Sequence, residues 1–503
     1  MKLLAKIIDI EQGHNEVVLN RSQAQSMDYA VGDRLQLKAN GFVAQAIIDQ
    51  SATYVKPGEI GLFHEIAEVL GAQEGNAIEV EPTRRPASLD FVRKKLDGGV
   101  LNSREISAII NDLMAQRLSS AELASFISAV YINGLSTDET ASLTEAIIAS
   151  GEVLKPPFEP AASEHSIGGV AGGRASMLIV PIMASLGVCV PKTASRAISS
   201  AAATADVMEV LAPVSLDSRR IHKVLEEAGG CIVWGGAVNI AAADDRLIKI
   251  RNPLRLDPQP LLISSILAKK KAEGAKFVVF DIPAGRGAKV ESLDKARELA
   301  RAFEVFSTRL GLRVSAVISD GSEPLMSYIG PTFEAREVLR TLASGGKEGS
   351  PRLADKACFS CGVLLHLIRG VTQEEGYRLA RFQLESGKAY EKMRQIIAAQ
   401  GGNPDVKPSD LLPGDYKASF FAKAEGTVNH VDNKAVSHVV RALGSPRDKR
   451  AGMAIKVSKG QRVMPGQELF ELYSSTPESL QLGEEAARKT EVIELQRVVF
   501  EVV

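Results

Sequence analysis

Glycines, hydroxyl side chains and backbone N–H groups gather in three segments: Glu164-His-Ser-Ile-Gly-Gly-Val-Ala-Gly-Gly173, Ser195-Arg-Ala-Ile-Ser-Ser200 and Thr204-Ala-Asp206. Each lies beside a predicted helix start, where N–H groups without helical partners and the helix dipole favour an oxyanion such as phosphate. Glycine-rich loops also serve tight turns and close helix packing, so the order of the segments around the loop carries the weight. The first reading is an enzyme that binds phosphate.

The elements that must position these loops can be traced along the chain. Residues 1 to 84 mix short alternating segments, such as Glu16-Val-Val-Leu19 and Arg34-Leu-Gln-Leu37, with polar turns, which predicts a small β-rich domain. Glu81-Pro-Thr-Arg-Arg-Pro86 reads as a linker. From Ser88 to Gly151 the pattern is helical, with starts at Asn102/Glu105, Ser119/Glu122 and Ser136/Glu139 in capping-box spacing and stops at Gly134 and Gly151. Strands and helices then alternate. Phe277-Val-Val-Phe-Asp-Ile282 and Val314-Ser-Ala-Val-Ile318 have the content of buried parallel strands, and Leu293 to Leu310 is helical between them. In such sheets ligands sit at the carboxyl ends of the strands, where the three segments fall. After Pro408 short strands and turns return. The expected architecture is multidomain α/β. It comprises a β-rich N-terminal domain (1–84), a helical domain (85–160), an α/β phosphate- and substrate-binding domain (161–407) and a C-terminal α+β domain (408–503).

Composition narrows the function classes. A chain of 503 residues suggests about three or four domains. The net formal charge of -1 gives no broad electrostatic case for nucleic acid or an anionic membrane. The longest apolar run, Met177 to Pro191, is broken by Pro181, Ser185 and Gly187 and falls short of the ~20 residues a membrane span needs. It reads as a buried helix followed by a short strand. The N-terminal MKLLAKIIDIEQG reads as a first strand and not as a signal peptide, so a cytoplasmic location is expected. Cys358-Phe-Ser-Cys361 is either part of a buried helix or a redox or half-zinc pair, without a second cysteine pair to complete four ligands. Neither a metal nor a cofactor is expected.

The words HSIGG (165–169), PKTASRAISS (191–200), TADVMEVLAP (204–213) and LDPQPLLISSILAKK (256–270) occur in an order that resembles the pyrimidine nucleoside phosphorylases. Within them the chain is most similar to the long branch that holds the bacterial type 2 thymidine phosphorylases and the AMP phosphorylases, including their N-terminal extension. The helical region resembles the domain these enzymes share with anthranilate phosphoribosyltransferase. On the phosphate side the resemblance implies Ser166, Gly168, Gly169, Ser176 and Thr204, with the loop Ser195, Arg196, Ala197, Ile198, Ser199 and Ser200. On the base side it implies Arg251, Ser265 and Lys269. Asp257 matches the proton donor assigned in the AMP phosphorylases, and Lys289 one of their nucleotide-binding residues. His165 is either a structural hydrogen-bonding group or a second catalytic one, since in the family it lies near the leaving base.

The implied reaction is phosphorolysis of an N-glycosidic bond by a pentosyltransferase, with inorganic phosphate as co-substrate. Thymidine is the default substrate, giving thymine and 2-deoxyribose 1-phosphate. The alternative is a nucleoside 5′-monophosphate, as in AMP phosphorylase, giving ribose 1,5-bisphosphate; a third reading is a catalytically weak relative that binds a nucleotide or phosphosugar. Assembly as a homodimer or larger is implied by the family. The chain departs from the pattern at Glu164, where a lysine is usual, at Ala194, where a phosphate-binding serine is usual, and at Ala201 to Ala203. A carboxylate beside a dianion is unfavourable, so either the Glu164 side chain points away or the substrate is not ordinary phosphate.

Overall fold

The computed structural model describes residues 1–197, 200–254 and 256–496, which fall into two units. The first is built from Met1–Gly151 and Ala241–Ser265, the second from Glu152–Ile240 and from Ile266 onward.

In the first unit, alternating apolar residues form strands β1 (Lys2–Ile8), β2 (Glu16–Asn20), β3 (Arg34–Ala39), β4 (Phe42–Ser51), β5 (Glu59–Phe63) and β6 (Ala77–Pro82). They close into a barrel in the order β1-β5-β2-β4-β3-β6, which leaves no unpaired edge. Leu3, Val17, Leu19, Leu35, Leu37, Ile48, Ile60 and Leu62 fill its interior, with Ile66 and Leu70. Helices α1 (Arg21–Ser26) and α2 (His64–Leu70) follow β2 and β5. Four helices come next: α3 (Ser88–Leu96), α4 (Ser103–Met114), α5 (Ser120–Asn133) and α6 (Thr137–Ala149). The last three open on the expected capping boxes of Asn102 with Glu105, Ser119 with Glu122 and Ser136 with Glu139. Glu139 does more than cap. Its carboxylate also accepts from the Leu101 N–H and ion-pairs with Lys95 at 2.8 Å, both side chains almost fully buried.

The second unit holds strands β7 (Ala162–Ser166), β8 (Val190–Ala194), β9 (Gly230–Trp234), β10 (Phe277–Ala284) and β11 (Arg313–Asp320). They pair in parallel as β11-β10-β7 and β8-β9. The apolar run after the glycine loop becomes α7 (Ser176–Ser185), buried throughout except at its last residue, and then β8. Helices α8 (Thr204–Met208) and α9 (Ser218–Ala228) lead to β9, and α10 (Ala242–Arg251) belongs to the first unit. Helix α11 (Gln259–Ala272) begins in the first unit and ends in the second. Helix α12 (Leu293–Arg309) packs Phe303 flat on Phe280 of β10 at 4.2 Å.

The short strand β12 (Tyr328–Ile329) and helices α13 (Pro331–Ala343), α14 (Pro351–Arg369), α15 (Gln373–Glu385) and α16 (Lys388–Gln400) complete the α/β part. Cys358 and Cys361 lie within α14, buried, and burial pushes the Cys358 thiol up to about 12. The C-terminal part consists of β13 (Tyr416–Phe421), β14 (Gly426–Val431), α17 (Asn433–Ala442), β15 (Gly452–Ile455), β16 (Arg462–Val463), β17 (Glu468–Ser474), α18 (Pro477–Lys489) and β18 (Ile493–Gln496). Its strands form the sheets β12-β15-β17-β13 and β16-β14-β18 over a core that includes Val436, Val440, Met453 and Leu472. The architecture is multidomain α/β with a β-rich N-terminal part, a helical bundle and an α+β C-terminal part. Among the described residues no helix is long and apolar enough to cross a membrane.

Replacing Glu139 by alanine leaves the Lys95 ammonium buried without its counter-charge, so chemical denaturation should show a loss of roughly 3 to 5 kcal/mol. Glu105→Ala removes a half-buried cap partner that also pairs with Lys94 at 2.9 Å, and its expected loss is about 1 kcal/mol.

Candidate active site

Strand β7 runs parallel to β10, so its last residues, His165 and Ser166, reach the carboxyl edge of the sheet. The Ser166 hydroxyl donates to the Asp281 carboxylate at 2.7 Å. Asp281, on β10 and 1% exposed, also accepts from Ser319 at 2.7 Å and ion-pairs with Lys356 at 2.8 Å. Ser166 is thus oriented by a fixed anion, and its hydroxyl hydrogen is committed to that carboxylate. The chain then turns through Gly168 (φ 84°) and Gly169 (φ 86°), in the left-handed region that favours glycine. A Cβ on Gly169 would come within 2.4 Å of the Lys289 nitrogen. The loop after β10 therefore lies directly on the glycine loop and brings Lys289 beside it.

Glu164 answers the question its charge raised. It is 2% exposed, and its carboxylate accepts from the Ser176 hydroxyl at 2.5 Å and sits 3.3 Å from the Lys192 ammonium. Burial by itself would raise this carboxyl; Lys192, the Ser176 hydrogen bond and the field of Lys270 outweigh it and hold the group below the usual carboxylate range. The side chain is engaged in the protein interior. Ser176, implied as a phosphate ligand, has its hydroxyl hydrogen committed to that carboxylate.

His165 is half-buried. Burial, together with the positive charges of Lys270, Lys192, Lys269 and Lys289, pushes its imidazole well below the ordinary value. At neutral pH it is an uncharged imidazole in a positive field.

The second loop, after β8, is organised by a residue that the sequence placed only as a neighbour of Thr204. The Asp206 carboxylate, 2% exposed, accepts from the N–H groups of Ala197 at 2.8 Å and Ala203 at 2.9 Å. Arg196 is held by Glu209 at 2.6 Å and lies over the Trp234 ring at 4.9 Å. Lys449 reaches Glu209 at 2.7 Å. The hydrogen bond from Arg196 is the largest influence on Glu209; with Lys449 it overcomes partial burial and brings the carboxyl down to about 2. Ser195 and Ser200 are exposed and Thr204 is half-buried; Ile198 and Ser199 lie outside the described residues. Asp206 stands three residues after Ala203 and accepts from its N–H, but alanine at that position supplies no capping side chain, so no capping-box pattern marks it in the sequence.

The residues implied for the base side divide between the units. In the first, the Arg251 guanidinium donates to Asp257 at 2.8 Å, so two residues with separate implied roles hold one another. Ser265 donates to Asp244 at 2.7 Å. Lys269 belongs to the second unit, on the last turns of α11. Lys192, Asp281, Glu209 and Lys449 escaped the sequence reading because each acts on the loops through a partner distant in sequence.

Two outcomes follow from the buried charges. Glu164→Lys sets a third ammonium against Lys192 and Lys270, and the thermal midpoint should fall by the equivalent of roughly 3 to 5 kcal/mol. For His165 the folded value lies below the ~6.5 of an unfolded chain, so below that pH the unfolded state binds the extra proton. Its contribution is complete above pH ~6.5 and is lost as the pH falls towards the folded value. Thermal unfolding of His165→Gln should therefore lose less stability between pH 7.5 and 5.5 than the wild type does.

Comparison with known proteins bears on this geometry. Residues 89–151 match the glycosyl transferase family, helical bundle domain, and residues 159–390 the glycosyl transferase family, a/b domain. An AMP phosphorylase of Thermofilum pendens is 41% identical over 96% of this chain and 93% of its own length. One from Thermococcus sibiricus is 38% identical over 100% of this chain and 99% of its own. The crystal structure of anthranilate phosphoribosyltransferase from Thermus thermophilus shares the fold, with a TM-score of 0.52 and 23% identity over 62% of this chain and 99% of that one. These relatives correct the expectation of a thymidine phosphorylase: thymidine as default substrate and a thymidine phosphorylase-like pentosyltransferase do not stand. The words that carried the resemblance did not by themselves distinguish the nucleoside from the nucleotide. The chain belongs to the glycosyl transferase family defined by these helical-bundle and a/b domains, and within it to the AMP phosphorylase branch.

Proposed function

We propose that this protein phosphorolyses AMP. The bond from the anomeric carbon to the base nitrogen breaks as a phosphate oxygen bonds to that carbon, and the leaving adenine takes up a proton, giving ribose 1,5-bisphosphate. The observation that carries this reading is the likeness to AMP phosphorylases over essentially the whole chain. Local electrostatics support it. Four lysines act on His165 at the carboxyl edge of the sheet, and both substrates of the reaction are anions that such a field attracts.

In this reading Gly168 and Gly169 allow close approach to an anion, while Ser195, Ser200 and Thr204 offer hydroxyl donors. Ser166, Ser176, Arg196 and Ala197 hold the loops in shape through Asp281, Glu164, Glu209 and Asp206. Lys289 meets a nucleotide phosphate, Arg251, Ser265 and Lys269 meet the base, and Asp257, released from Arg251 and protonated from solvent, passes that proton to the leaving base. His165, neutral, orients the sugar. Fixed donors of this kind need no reorganisation as charge develops at the anomeric carbon. A cytoplasmic location and assembly as a homodimer or larger belong to the same reading; exposed Tyr131 and Ile132 at the end of α5 support the assembly.

A panel of AMP, thymidine, uridine and cytidine, each with and without phosphate or arsenate, tests the assignment. Adenine release from AMP that depends on phosphate or arsenate is expected. Release at the same rate without either anion would identify a hydrolase, and no release from AMP would remove the reading. Arg251→Ala and Lys269→Ala should each lower kcat/KM for AMP by roughly ten- to a hundredfold, equivalent to ~1.5 to 3 kcal/mol for a charged hydrogen bond. Wild-type rates would take those residues out of the site.

A further inference from the structure

The α/β family match ends at residue 390, yet the carboxyl edge of the sheet is held by a side chain well beyond it. Asn433, the first residue of α17, is 2% exposed. Its Oδ1 accepts from the Ala171 N–H of the glycine loop at 2.9 Å, and its Nδ2 donates to the Gly321 carbonyl, immediately after β11, at 3.0 Å. The orientation of the amide is fixed by these partners, since an N–H requires an acceptor and a carbonyl oxygen a donor. A third loop meets the same residue: a Cβ on Gly287, two residues before Lys289, would lie 4.0 Å from the Asn433 Cβ and nitrogen. The buried amide thus ties the loop that follows β7 to the loop that follows β11, and the loop that follows β10 passes beside the same residue.

We propose that Asn433 is a positioning residue for the anion site, setting the glycine loop in register with the loops that follow β10 and β11. This rests on the reading that the glycine loop receives phosphate. On its strand side the loop is fixed at Ser166, through the Asp281 carboxylate, and at Ile167, whose N–H donates to the Asp281 carbonyl at 2.9 Å. Between Gly168 and Arg174 the left-handed glycines give little local stiffness, so the two bonds of Ala171, its N–H to Asn433 and the Leu325 N–H to its carbonyl at 3.0 Å, set where the loop sits, and Asn433 is the one of the two that acts through a side chain. Aspartate is isosteric but cannot donate to the Gly321 carbonyl; alanine can make neither bond. The C-terminal part braces the second loop as well, through Ser445 on the Ala201 carbonyl at 2.7 Å and Lys449 on Glu209.

The test compares wild type, Asn433→Ala and Asn433→Asp with Asn20→Ala, a buried asparagine of the barrel that caps α1 and bonds the Val55 carbonyl. Two quantities are read: KM for phosphate in AMP phosphorolysis, and the Kd of inorganic phosphate by calorimetry. Both should rise on the order of tenfold in Asn433→Ala, with a smaller rise in Asn433→Asp, while Asn20→Ala leaves both unchanged. A purely structural role would lower the active fraction, and hence kcat, at unchanged KM and Kd; that result overturns the proposal, as does an equal rise in Asn20→Ala. A wild type that binds phosphate but does not consume AMP sinks the proposed function and leaves the Kd comparison decisive. A wild type that binds no phosphate sinks both.

Discussion

Strands β7 and β8 start side by side at the Ala161–Cys189 bridge but do not continue as a ladder, and buried charge takes over where backbone pairing stops. The Lys192 ammonium reaches the Glu164 carbonyl and carboxylate. Glu273 accepts from the Thr193 N–H at 2.9 Å, from its hydroxyl at 2.5 Å and from Lys270 at 2.6 Å, and Lys270 also donates to Ser163 at 3.2 Å. Burial pushes Lys270 down to about 8, with Glu273 opposing the shift. A network of this kind is costly to break because each partner is left charged in a dry interior. It fixes the separation of two strands whose far ends release the two candidate anion loops.

That constraint explains the most conspicuous departure from the family pattern. A glutamate in place of the usual lysine looks hostile to phosphate when read along the chain. In the fold Glu164 is the counter-charge that lets Lys192 and Lys270 be buried at the head of the loop, and the positive field at His165 survives its presence. The net charge near the loop is decided by side chains from three elements together.

Each loop gains its shape from residues outside the loop itself. Ser166 is set by Asp281 on β10, the loop after β8 by Asp206 and Glu209, and Ala171 by Asn433. Hydroxyls and N–H groups that a motif offers as phosphate donors are in several cases already spent on these carboxylates. Motif membership and ligand contact are therefore different properties.

The sequence by itself determined the elements and their order. The capping boxes of α4, α5 and α6, the alternation in β1 to β3, the buried run that became α7 and β8, and the parallel strands β10 and β11 are set by residues a few positions apart. It also led to the expectation that an anion binds at the carboxyl edge of the sheet. The tertiary structure alone decided which side chains are occupied: Ser166 with Asp281 across 115 positions, Ala171 with Asn433 across 262, and Arg251 with Asp257. Propensity and capping act over a turn of chain and are written locally. The partner of a buried charge or amide is whichever group the fold brings within about 3 Å, and no local pattern encodes it.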